Sequence, residues 1–101
     1  MHKDVTLQDF LGKTVFDTKT KIRYTLFEVT APAISVWELT PDRNGHRKWF
    51  CYETLSGNPF ARGELAFLDA DMTAPFLLAY QLHCKSEEGR AEVMEYCLLK
   101  E

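Results

Sequence analysis

No apolar run in this sequence approaches the roughly 18 residues that a membrane-spanning helix needs. No apolar stretch follows Met1-His2-Lys3-Asp4, so no secretory leader is expected. Cysteine is scarce and odd in number: Cys51, Cys84 and Cys97 show no C-x-x-C spacing. The simplest reading is three reduced thiols in a cytoplasmic protein. Basic excess is also missing. Twelve Lys and Arg stand against fifteen Asp and Glu, for a net charge of −3. That mild acidity argues against nonspecific nucleic-acid binding, which needs a concentrated basic face. The one local basic cluster is Arg43, His46, Arg47 and Lys48. It reads first as a solvated turn, and second as a contact for phosphate or an acidic partner.

What is present is enough for a core. Of 101 residues, 46% are apolar and 13% aromatic. A chain of this length fits one domain, taken as 1–101, and can hide roughly 65% of its unfolded surface without staples. There is no internal repeat, low-complexity segment or inter-domain linker.

The first element reads as a short helix. Thr6 suits an N-cap, with Asp9 three residues on to reach back to it. Leu7, Phe10 and Leu11 share one helical face, and Gly12 suits its end. The apolar period then changes to 2. Strands are expected at 14–17, at 22–30, in a hairpin of 33–40 with 46–54, and at 64–68. In 22–30, Ile22, Tyr24 and Leu26 point one way and Phe27 and Val29 the other, which predicts an inner strand covered on both sides.

The hairpin surrounds Pro41-Asp42-Arg43-Asn44-Gly45. A two-residue Asn-Gly turn pairs Trp37 with Tyr52, whereas a five-residue loop pairs Trp37 with Trp49. Pairing chemistry alone leaves both registers open. Residues 76–85 and 90–100 flank Ser86-Glu87-Glu88-Gly89. Read as a second β-hairpin, they put Leu78, Tyr80, Leu82 and Cys84 on one face with Ala91, Val93, Cys97 and Leu99. Only Glu95 breaks that apolar face. The alternative for 90–100 is a helix, which Glu, Ala, Met and Leu favour. The expected fold is therefore mainly β, bordering on α+β. A short N-terminal helix precedes an antiparallel meander of six or seven strands, rolled into a barrel or folded into two layers.

The chemistry-bearing residues are weighed on that frame. Consecutive residues on a strand leave opposite faces, so His83 and Cys84 do not share a metal, and no metal or cofactor is expected. His83 lies across the hairpin from Glu92, a pair that suits a general base but equally an ordinary cross-strand contact. Asp69-Ala70-Asp71 reads as a turn, not a calcium loop. Ser56-Gly57-Asn58-Pro59 lacks the Gly-Lys-Ser/Thr ending and following helix of a phosphate loop. No Gly-x-Ser-x-Gly elbow is present.

The aromatic surplus points to binding instead of catalysis. The leading expectation is a small non-catalytic protein-binding module, such as an inhibitor, an immunity-type protein or an accessory factor of a phage or mobile element. Its candidate contacts are Phe60, Arg62, Trp49, Arg47 and Tyr96. Phe60 leads that set because it sits in a Gly/Pro-bounded loop, where the alternative is that it plugs the sheet end. The second expectation is a small-ligand binder or minor enzyme with a pocket in a rolled sheet, using Tyr24, Tyr52, Tyr80, His83 and Glu95. A homodimer through edge strands is a third.

Overall fold

A computed structural model describes residues 5–100. The period-2 segments are strands: β1 (Thr14–Asp17), β2 (Arg23–Val29), β3 (Ala33–Glu38), β4 (Trp49–Glu53) and β5 (Leu65–Phe67). They form one five-stranded antiparallel sheet in the order β4-β3-β2-β1-β5. The first four strands are a meander, and β5 crosses back to pair with β1. The chain then forms two helices, α1 (Thr73–Lys85) and α2 (Glu87–Lys100). The fold is α+β, and the sheet does not close into a barrel.

Three expectations need correction. The N-terminal helix is a single 3-10 turn, Leu7–Phe10. Asp9 does reach back to it, accepting the Thr6 N–H at 2.8 Å. The run is too short to propagate as an α-helix, and it persists because Phe10 is buried. Second, the sheet has five strands where six or seven were expected. Third, 76–85 and 90–100 are helices, not a β-hairpin. Ser86 is the reason. Its backbone is extended, its Oγ accepts the Gly89 N–H at 3.0 Å, and Glu87 and Glu88 fill the first turn. This is N-cap chemistry with acids placed to favour the helix dipole. Gly89 serves another need: a Cβ there would lie 2.0 Å from the His83 carbonyl oxygen. The two helices cross where only hydrogen fits.

The β3–β4 hairpin takes the longer-loop register, with Trp37 opposite Trp49 and Val36 opposite Phe50. Asp42 closes its tip, Oδ1 accepting the N–H groups of Asn44 and His46, each at 2.9 Å.

β2 carries a bulge between Leu26 and Glu28. The extra residue resolves the two-sided pattern read in 22–30. Phe27 stays on the face of Trp37, at 4.9 Å between ring centroids. Val29 swings back to pair with Ile34 and packs on the core. Its expected place opposite Leu26 is thereby corrected.

The core lies on one side of the sheet only. Val15, Leu26, Ile34 and Val36 are fully buried beneath α1, which contributes Phe76 and Ala79. Phe67 sits among Phe10, Phe60 and Phe76 at centroid distances of 5.7, 4.8 and 5.1 Å. Each such ring adds roughly 1.5–3 kcal/mol by burial. The molecule is 22 Å across its thinnest dimension, enough for a sheet and one helical layer. No helix among the described residues is long and apolar enough to cross a membrane.

Candidate functional site

One-sided burial leaves the other sheet face open. Alternation along the strands puts Phe16, Phe27, Trp37, Trp49 and Cys51 there. The Trp49 ring lies 6.5 Å from Phe27, which in turn contacts Trp37. Trp49 is 57% exposed, a high value for the largest side chain. Basic groups border this aromatic strip. Arg23 and the loop residues Arg43, Arg47 and Lys48 are exposed, and the Lys21 ammonium stands 5.8 Å from the Phe16 ring centroid. The strip combines rigid aromatic area with cationic margins, which is how surfaces that bind macromolecules are commonly built.

A second feature lies beside the start of β1. There the 3-10 turn, the last residues of β2 and the outer side of α1 enclose a groove of about 950 Å³. Leu7, Leu11, Val29, Leu78 and Leu82 make it apolar. Glu28, Glu88, Glu92 and His83 also line it, with no Lys or Arg among the described residues.

At its end the helices are clasped to the sheet. Glu92 Oε1 lies 2.8 Å from His83 Nε2 and accepts the Ala31 N–H at 2.8 Å. Beside it, Tyr80 OH, Thr54 Oγ1 and the Ala31 carbonyl oxygen approach one another within 2.5–2.6 Å. Two hydroxyl protons serve those three contacts. Burial raises the Tyr80 phenol well above the free tyrosine value. His83 and Glu92 do face each other as read from the sequence, although the connection between them is a helical turn instead of a β-turn. With the carbonyl and amide of Ala31 both engaged, the cluster is built first as a tie between layers.

The binding candidates scatter. Phe60 is a correction: it is 4% exposed, stacked on Phe67 at 4.8 Å, and is the plug of the sheet end. Asn58 Oδ1 fixes that loop by accepting the Phe60 N–H at 2.8 Å. Arg62 is exposed and pairs with Glu64 at 2.7 Å. Tyr96 is half-buried on α2. Only Trp49 and Arg47 fall together. The five residues assigned to one pocket are also separated. Tyr24 and Tyr52 lie on strands, and burial holds the Tyr52 phenol up at about 12. Tyr80 and His83 lie on α1, and Glu95 is exposed on α2. Of the five, His83 alone lines the groove beside α1. Phe27 and the groove residues Leu78 and Leu82 were not read as surface. The i, i+4 spacing of that leucine pair is the signal a helical reading would have used.

Among the described residues, no group of three His, Cys, Asp or Glu is placed to hold a metal ion. Comparison with models of known families, with curated proteins and with solved structures finds no match to this chain.

Proposed function

We propose that the chain is a cytoplasmic protein-binding module whose contact surface is the open sheet face. The carrying observation is Trp49, 57% exposed beside Phe27 and Trp37 on the sheet face opposite the core. An exposed aromatic cluster of this kind is the usual centre of a protein interface, because aromatics supply large area at low entropy cost. The basic margin of Arg23, Arg43, Arg47 and Lys48 suits a partner whose apolar patch is bordered by carboxylates.

The test starts with a photo-reactive residue at position 47, beside the tryptophan, to trap and identify the partner. Affinity is then measured with purified proteins. Trp49→Ala is expected to weaken binding by about 30-fold, or roughly 2 kcal/mol. Arg47→Glu is expected to slow association and reverse its salt dependence. A trapped partner that binds Trp49→Ala as well as the native chain defeats the proposal.

A second reading rests on the groove, whose apolar lining and three carboxylates suit an apolar cation. A hydrophobic amine such as dodecylamine, titrated by calorimetry, is expected to bind more weakly after Leu82→Gln if that reading holds.

A further inference from the structure

α2 turns its apolar stripe away from the protein. The side that meets the rest of the chain is Gly89, Glu92, Val93 and Tyr96, each buried or half-buried. Gly89 sits against the His83 carbonyl, and Glu92 ties to His83 and to the Ala31 N–H. At roughly 100° per residue, the diametrically opposite side is Glu87, Ala91, Met94 and Leu98. The outer side of a surface helix is ordinarily charged or polar. Here Ala91 is exposed, and Met94 and Leu98 are each 70% exposed.

The spacing 91, 94, 98 is the three-then-four rhythm of a coiled-coil seam. Its flanks carry opposite charge. Arg90 lies on one side of the stripe and Glu95 on the other, both exposed. Neither takes part in an ion pair among the described residues. Separated by five positions, they do not face each other within their own helix.

We propose that a second copy of the chain covers this stripe, the two α2 helices lying parallel as a short two-stranded seam about a two-fold axis. Charge selects the parallel arrangement. When two such helices run the same way, a residue on the leading flank faces the one five positions further along the other helix. Arg90 of each copy then faces Glu95 of the other, twice by symmetry. Running antiparallel, each flank meets its own kind, which sets Glu88 against Glu95. The rest of each copy touches the inner side of its own α2, so the two bodies stand on the outer sides of the seam. Small Ala91 and the meeting of two Glu87 carboxylates at the first layer make the association weak and reversible. The stripe and its two flanking charges belong neither to the open sheet face nor to the groove, so the pairing stands whether or not those bind anything.

The experiment is sedimentation equilibrium of the full chain, with reductant present, from about 10 μM to about 1 mM. The expected result is a reversible species of twice the 11.7 kDa chain mass. Leu98→Lys should abolish it with circular dichroism intact. Leu99→Lys should leave it in place, although Leu99 is more exposed at 81%, because residue 99 lies off the seam. Glu95→Arg alone should weaken association about tenfold by setting it against Arg90, and adding Arg90→Glu should restore it. Glu87→Leu should tighten it at least tenfold on the order of one added apolar layer. A monomer at about 1 mM overturns the pairing. So does a dimer that ignores Leu98→Lys, one lost equally with Leu99→Lys, or one that Glu95→Arg strengthens, as the antiparallel arrangement requires.

Discussion

The two hairpins of this protein have nearly the same written pattern: apolar segments either side of a short polar turn ending in glycine. One is β3–β4 and the other is α1–α2. They differ in what the turn does for the backbone. Asp42 folds its own tip, accepting two N–H groups within four residues, and so returns the chain to extended form. Ser86 accepts the N–H of Gly89 and opens a helix. The glycines differ as well. Gly45 is needed for its φ of +79°, with open space where a Cβ would stand. Gly89 is needed for contact, because its missing Cβ is what lets α2 touch the carbonyl of His83. Turn chemistry, more than the flanking apolar residues, separates the two outcomes.

The sharpest way to break that contrast is to add the same methyl group to each glycine. Gly89→Ala must push α2 away from α1 and is expected to cost roughly 3 kcal/mol. Gly45→Ala should cost only about 1 kcal/mol, the strain of a left-handed residue. Urea melts of the two variants read the difference, and equal losses would show that the helices do not depend on the close crossing.

Tyr80→Phe comes next. It removes one of two hydroxyls at the Ala31 carbonyl while keeping the ring, and is expected to cost about 1–2 kcal/mol in the same melts. The caps follow. Ser86→Ala and Asp42→Ala should each lose about 1 kcal/mol. Only the first should speed amide exchange across 87–92, and only the second should speed it near 42–46.

A pH titration compares the hairpins without mutation. Burial raises the phenols of Tyr80 on α1 and Tyr52 on β4, the latter to about 12. Both ionise near 10 when unfolded. The folded state thus holds their protons more tightly, and stability from this source is complete below about pH 10. It falls as pH rises through the folded values. Tyrosinate absorbance should appear late and together with loss of ellipticity, and Tyr80→Phe should shift that loss to higher pH.

Much of the sheet could be read directly. The five strands fall within the period-2 segments, and the register with Trp37 opposite Trp49 was one of two stated. The last third reads as a strand because Leu78, Tyr80, Leu82 and Cys84 recur at every second position. In α1 they instead wind around the helix, so Leu78 and Leu82 are exposed while Tyr80 is buried. The Ser-Glu-Glu cap outweighed the period and was legible at 86–88. The site was less readable than the fold. Exposure of Trp49 depends on which sheet face receives the helices, and a strand's alternation is the same whichever face is covered. Phe60 shows the converse: a Gly/Pro-bounded loop is typical of a surface, but its own Asn58 turns the ring inward.

The bulge in β2 works as a change of phase. Before it, even-numbered residues of the strand belong to the interior; after it, odd-numbered ones do. One residue thus lets a single strand serve two readers, giving Phe27 to the outer strip without taking Val29 from the core. Deleting Phe27 would restore an unbroken rhythm and keep the interior sequence Tyr24, Leu26, Val29 in step. The price would be the ring against which Trp37 and Trp49 pack. The fold would be left simpler and the surface poorer, which identifies the extra residue as serving what the protein shows to others.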